Sequence, residues 1–252
     1  MCLKGKPKPK KGRLLIRAVT FDLWNTLIEN KHYTEVRVRI LAEALKKNGF
    51  SKDFQTIKEA YLSTHTHAYR VWQHENHRFV PTKERLEYIL KNLSAQLPED
   101  LKAKIVKEFE ETALSDPPRL AEGVKETLEC LSPRYKMGII SDSGVTPGRI
   151  LRTILSEHHI LKHFDVTVFS DETGYNKPHR IMFETALTKL HVKPHETMHV
   201  GDLLQTDVAG AKTIGMKVTW LNKEGRICAG CYKPDYEIEA VTQIIDVLNG
   251  IH

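Results

Sequence analysis

Four short segments carry the residue types from which an active site is made. The first, Phe21-Asp22-Leu23-Trp24-Asn25-Thr26-Leu27, closes an apolar run, LLIRAVTFD, on the carboxylate of Asp22. A carboxylate at a strand end is able to attack phosphorus and split one hard displacement into two easier ones. A second apolar run ends as Ile139-Ile140-Ser141-Asp142-Ser143, with a hydroxyl beside a carboxylate. In Tyr175-Asn176-Lys177-Pro178 a lysine precedes a proline suited to the first turn of a helix. Its ammonium, at the rim of a sheet, is placed to neutralise both a nucleophile and the oxygens it attacks. The fourth segment, His199-Val200-Gly201-Asp202-Leu203-Leu204-Gln205-Thr206-Asp207, sets two carboxylates beside a glycine turn. Bringing these acids near Asp22 is costly unless a cation holds them together. A hard, oxygen-binding Mg²⁺ that keeps several waters fits that inventory.

For the segments to meet, they must sit at the ends of neighbouring elements. Apolar runs at 14–22, 135–141, 164–170, 198–202 and 217–221 predict strands, and 121–131, 178–190, 207–214 and 238–248 predict helices. The alternation calls for βαβ units, hence an α/β fold with a Rossmann-like parallel sheet and helices on both faces. Ligands of such sheets sit at the C-terminal strand ends, where Asp22, Ser141 and Asp202 fall. Residues 33–114 break the alternation with helical periodicity at 33–48, 54–74, 82–93 and 99–114. The expected organisation is a catalytic core of residues 14–32 and 115–252 with an all-helical cap at 33–114. A module so inserted would cover the strand ends and exclude water.

In order, the four segments resemble the four motifs of the haloacid dehalogenase-like hydrolase superfamily, across a core from about residue 14 to residue 248. The cap matches only in position and helical character. The resemblance implies that Asp22 is the nucleophile and that Thr26 orients it by a hydrogen bond. Ser141 and Lys177, with backbone N–H groups at Asp142, would bind the transferring phosphoryl group. Asp22, Asp202 and the carbonyl of Trp24 would ligate Mg²⁺, with Asp207 contacting a metal-bound water or Lys177. The implied activity is Mg²⁺-dependent hydrolysis of a small phosphate ester or acyl phosphate through an aspartyl-phosphate.

One position departs from the pattern. Phosphatases of the superfamily carry a second aspartate two residues after the nucleophile, which protonates the leaving oxygen and later activates water. Here that position is Trp24, and indole cannot exchange a proton at neutral pH. A positioned acid/base contributes about 10²–10⁴ in rate. Dehalogenases of the superfamily also lack this aspartate, so 2-haloacid dehalogenation is the enzyme alternative, although they usually lack the metal-binding aspartate kept at Asp202. Preference for good leaving groups, such as acyl phosphates, reconciles Trp24 with Asp202. A further alternative, of a different class, is an impaired enzyme that binds a phosphorylated ligand or partner. Glu75 or His65 of the helical insertion are candidates to reach into the site.

The bulk properties favour a small-molecule enzyme over a nucleic-acid binder. The net charge of +6 is accounted for by Lys4, Lys6, Lys8, Lys10, Lys11 and Arg13. The remaining basic and acidic residues balance, and residues 1–13 read as a disordered basic tail. No apolar run is long enough for a membrane span, and the N-terminus lacks a secretory apolar segment, so the expected location is cytoplasmic. Cys228 and Cys231 offer half of a zinc site, which needs four ligands, and read as loop residues. His65, His67, His74 and His77 lack partners at recognised ligand spacing and read as surface or substrate-facing.

Overall fold

In the computed structural model, which describes residues 15–228 and 232–251, the first apolar run becomes β1, Ala18–Phe21, with all four residues buried. Four helices follow: α1 Thr34–Lys47, α2 Phe54–His74, α3 Thr82–Asn92 and α4 Glu99–Ser115. The rest of the chain alternates: α5 Val124–Leu131, β2 Lys136–Ser141, α6 Gly148–Glu157, β3 Val166–Phe169, α7 Ser170–Thr173, α8 Arg180–Leu190, β4 Thr197–Gly201, α9 Ala209–Thr213, β5 Lys217–Leu221, β6 Tyr236–Ile238 and α10 Ile244–Ile251. The strands form one parallel sheet in the order β3-β2-β1-β4-β5-β6. Strand order reverses beside β1, so the ends of β1 and β4 flank the crevice where ligands of such sheets bind.

Side-chain alternation along the strands builds a core on each face. Val19, Phe21, Met137, Ile139, Met198 and Val200 pack with residues of α5, α6 and α10. Ile140, Val168, Val218 and Trp220 pack with α8 and α9 on the opposite face. Both faces are therefore covered, as an all-parallel sheet requires.

The four helices α1–α4 pack around a cluster of their own, in which Val38, Leu41, Leu45, Ile57, Tyr61, Leu86, Ile89, Ile105 and Phe109 are buried. In α1 the buried set is Arg37, Val38, Leu41, Ala44 and Leu45, one stripe at helical spacing. Asp53 caps α2 by accepting the Thr56 N–H at 2.9 Å.

Several boundaries differ from the sequence expectation. Ile238, expected to open the last helix, instead ends β6, where it pairs with Leu221, and the helix starts at Ile244. Asp235 draws the chain there by accepting the Val218 N–H at 2.9 Å and pairing with Lys212 and Lys217. The helix expected from Pro178 starts at Arg180, because the His179 ring accepts the Ile181 N–H as its cap. The helix expected from Asp207 is preceded by a π turn, Leu204–Val208, that contains Asp207. Segment 148–157, not read as helical, is α6, whose buried residues include Ile150, Leu151, Ile154 and Leu155. The basic tail lies outside the described residues, as does Cys231. No described helix is long and apolar enough to cross a membrane.

Candidate active site

Beyond Phe21 the chain folds back sharply: the N–H groups of Leu27 and Ile28 donate to the Leu23 carbonyl at 2.9 and 3.0 Å. Asn25 adopts the left-handed conformation at φ 57° that this turn needs, which asparagine tolerates well. Asp22 is fixed by donating its N–H to the Val200 carbonyl at 2.8 Å. The residue is 5 % exposed. The Thr26 hydroxyl donates to Asp22 Oδ2 at 3.4 Å, a long bond that orients more than it binds.

Lys177 is the centre of the cluster. Its ammonium donates to Asp22 Oδ1 at 2.5 Å and to Asp207 Oδ1 at 2.6 Å, and the residue is 2 % exposed. The backbone fixes it from two sides. Its N–H donates to Asp142 Oδ1 at 2.8 Å, and its carbonyl accepts the Trp72 indole N–H of α2 at 2.8 Å. Burial alone would lower the lysine pKa, but Asp207, Asp22 and Asp142 outweigh it and hold the ammonium protonated.

Asp207 accepts from Lys177, from the Leu203 N–H at 3.1 Å and from His199 Nε2 at 3.2 Å. A carboxylate only accepts, so Nε2 carries the proton. Burial lowers the His199 pKa and keeps the ring neutral. Nδ1 then accepts the Thr20 hydroxyl at 2.9 Å from the adjacent strand, where Thr20 is the register partner of His199. Burial pushes the Asp207 carboxyl up, but Lys177 and His199 prevail and hold it well below the usual carboxylate range. Gly201 is required for this approach: a Cβ there would stand 2.3 Å from Asp207 Cγ.

The fit of a metal ion is testable on the carboxylates themselves. One ligand atom each from Asp22, Asp202 and Asp207 lies within 4.8 Å of the others, the one such group of three found among the described residues. Asp202 is 7 % exposed, and no side chain among the described residues donates to its carboxylate, while its carbonyl accepts Trp220 Nε1 at 3.0 Å and Arg226 Nη2 at 3.2 Å. Burial, followed by Asp207, pushes Asp202 up to about 6, and burial pushes Asp142 up to about 6. Burial, with Asp207 and Asp202, also raises Asp22 well above the usual carboxylate range despite Lys177. Four acids around one ammonium are short of positive charge. A small, hard dication on oxygen ligands fits this set.

The sequence-derived positions thus meet, with differences of detail. Ser141 lies buried at the end of β2, beside β1, where its hydroxyl donates to the Asp142 carbonyl at 3.4 Å. Trp24 turns a side face toward a cavity of about 390 Å³ between the strand ends and the helices. Asp142, Ser143 and Asn176 line its core side, and Tyr33, Arg37, Tyr61, His65 and Arg85 its helical side. Of the other histidines, His67 stacks on Tyr88 at 4.2 Å and His77 meets the Trp72 ring edge-on at 4.9 Å. Glu75 pairs with Arg78 at 2.7 Å. The sequence reading missed His199, Arg37 and Arg85. A histidine inside an apolar strand was the available signal for the first.

The family model for haloacid dehalogenase-like hydrolases matches residues 16–215. Glyceraldehyde 3-phosphate phosphatase of Pyrococcus furiosus is 28 % identical over 239 residues, covering 92 % of this chain and 93 % of the relative. Among solved structures, a HAD phosphatase from Thermococcus onnurineus is 26 % identical with a TM-score of 0.62, covering 93 % of this chain and 99 % of that one. A 2-haloacid dehalogenase from Pseudomonas syringae superposes with a TM-score of 0.70 at 24 % identity, covering 94 % and 100 %, a likeness of fold.

Proposed function

The chain belongs to the haloacid dehalogenase-like hydrolases, and within that family we propose that it is a Mg²⁺-dependent phosphohydrolase acting on a small phosphate ester or acyl phosphate. The observation that carries the reading is the Lys177 ammonium seated between Asp22 and Asp207 at 2.5 and 2.6 Å. A fixed cation touching the nucleophile offsets the repulsion between a carboxylate and an anionic phosphoryl group. The phosphatase relatives support the same class of substrate.

In this reading an oxygen of Asp22 forms a bond to phosphorus as the bond to the leaving oxygen breaks, giving an aspartyl-phosphate. Thr26 and Lys177 orient the carboxylate, and Ser141 with backbone N–H groups at Asp142 receives the phosphoryl oxygens. Asp207, held by His199 and Leu203, keeps Lys177 charged and in place. Asp22, Asp202 and the Trp24 carbonyl would hold Mg²⁺, which when bound supplies positive charge against the phosphoryl oxygens. Water then attacks phosphorus and releases Asp22. Helices α1–α4 serve as the cap that closes over the cavity and selects the substrate.

Trp24 cannot protonate a leaving oxygen, and this favours acyl phosphates, whose carboxylate leaves unprotonated. The same residue stands on the side of dehalogenation; against it stands the Asp202 carboxylate, grouped with Asp22 and Asp207 where a cation would sit. Assays of acetyl phosphate, p-nitrophenyl phosphate and 2-chloropropionate, each with Mg²⁺ and with EDTA, separate the readings. Mg²⁺-dependent phosphate release that vanishes in Asp22→Asn is expected. Halide release insensitive to EDTA would replace the reading with dehalogenation.

A further inference from the structure

The wall of the cavity formed by the helices carries two guanidinium groups, those of Arg37 and Arg85. Arg37 is 7 % exposed, and each of its bonds goes to a neutral acceptor: Nε to the Phe109 carbonyl at 3.0 Å, Nη2 to Thr146 Oγ1 at 3.1 Å and Nη1 to the Tyr61 hydroxyl at 3.5 Å. The Tyr33 ring lies beneath it, 5.4 Å from the guanidinium carbon. Arg85 donates Nε to the Val80 carbonyl at 3.1 Å, and its two Nη groups make no hydrogen bond among the described residues.

Neither arginine forms an ion pair with a described residue. Glu84, beside Arg85 in sequence, is held by Arg78 at 2.8 Å and by His67 at 3.7 Å. On the core side Asp142 is held by the Lys177 backbone. Burial makes the Arg85 charge costly to keep; Tyr61 and, at a distance, Glu84 offset this in part, and Arg37 adds to the cost. A buried charge without a partner destabilises a fold strongly; Arg37 is buried, Arg85 is half-buried, and both line one cavity.

We infer that Arg37 and Arg85 form a second anion site, which selects phosphate compounds carrying a further anionic group, a carboxylate or a second phosphate, at the end remote from the transferred phosphoryl. Guanidinium forks match both groups by paired N–H donation. The cavity, at about 390 Å³, falls in the range of small-molecule sites. Trp24, Tyr33 and Tyr61 provide apolar walls for a short carbon spacer between the two charges. The inference rests on the phosphohydrolase reading for the identity of the first group, and it distinguishes the expected substrate from a phosphate ester whose other end is neutral.

The test measures binding, so it does not depend on turnover. Calorimetric titration of the full-length protein with Mg²⁺ present compares propylphosphonate, 3-phosphonopropionate and 1,2-ethanediphosphonate, which share a two-methylene spacer and end in methyl, carboxylate and phosphonate. The site predicts that at least one of the two compounds with a second anionic group binds about tenfold or more tightly than propylphosphonate; which of them does so identifies the second group as carboxylate or phosphate. In Arg85→Gln, half-buried and less embedded than Arg37, that ratio is expected to fall to within about threefold of unity, with thermal melting as the check on folding. Equal binding of all three by the wild type, no binding of any, or an undiminished ratio in a folded Arg85→Gln would overturn the site. Should Arg85→Gln fail to fold, the wild-type ratio alone decides. Failure of the hydrolysis assays above would reject the phosphatase reading while leaving this ratio to be read.

Discussion

At the scale of single residues, the site is a chain of groups each of which fixes the next: Thr20 sets the ring of His199, His199 holds Asp207, Asp207 holds Lys177, and Lys177 meets Asp22. The weak link for turnover is Trp24. Trp24→Asp is expected to raise the rate for phosphate esters with poor leaving groups by at least about tenfold, a conservative part of the acid/base contribution, with a smaller gain for acyl phosphates. Steady-state kinetics on glycerol phosphate and acetyl phosphate check this; no gain in a folded, metal-binding variant would direct attention to Asp142 and His65, which line the same cavity. His199→Gln should leave the fold intact but lower kcat, because Asp207 loses the partner that helps hold it for Lys177. An unchanged kcat would mean that the Leu203 N–H and Lys177 suffice. Asp22, Ser141, Lys177, Asp202 and Asp207 were legible in the sequence because each sits at a strand end or a turn within a recognisable local pattern. The roles of His199 and Arg37 were not, because their partners come from β1, from the loop after β2 and from other helices; Arg85 was not, because only the packing of the helices brings it to the cavity that Arg37 lines.

At the scale of elements, precise placement depends on features that sequence periodicity does not report. The π turn Leu204–Val208 swings Asp207 back across Gly201, which periodicity read simply as the start of a helix. Gly201→Ala is expected to cost about 1–3 kcal/mol, the usual range for overpacking, and to lower activity by displacing Asp207, measured by denaturant titration and by kcat. Retention of both would show that the turn has room to relax. Strand β6 is short and irregular in hydrophobicity, so its signal was weak; what fixes it is Asp235, paired with Lys212 and Lys217. Burial raises that carboxyl, but these partners and the Val218 N–H prevail and lower its pKa in the fold. Its stabilising contribution is therefore complete above the unfolded carboxylate pKa of about 3.9 and is lost as pH falls through the folded value. Asp235→Asn should lower the thermal midpoint at neutral pH and reduce the loss of stability on acidification; parallel stability curves for variant and wild type would contradict the assignment.

At the scale of the whole molecule, the α/β alternation and the helical run between β1 and β2 were legible because both periodicities persist over long stretches, whereas the way the two packed units meet was not. Their contact combines a buried apolar cluster of Tyr33, Ala113, Ile150 and Ile154 with polar bonds: Trp72 donates to the Lys177 carbonyl, Phe79 N–H to the Gly174 carbonyl at 2.9 Å, and Asn176 N–H to the His77 carbonyl at 2.8 Å. The helices thus touch the loop that carries the ammonium. Trp72→Phe, which keeps the ring and removes the donor, should cost about 0.5–1.5 kcal/mol and lower kcat for the best substrate; an unchanged rate would uncouple the helices from Lys177. The central claim, that Asp22 accepts a phosphoryl group in a site completed by Mg²⁺, is tested most directly by mass spectrometry of protein quenched in acid during turnover of acetyl phosphate. The account predicts a peptide containing Asp22 that carries the mass of one phosphoryl group, formed only with Mg²⁺ present and absent from Asp22→Asn. Turnover with no such adduct, or with the adduct on another residue, would contradict it.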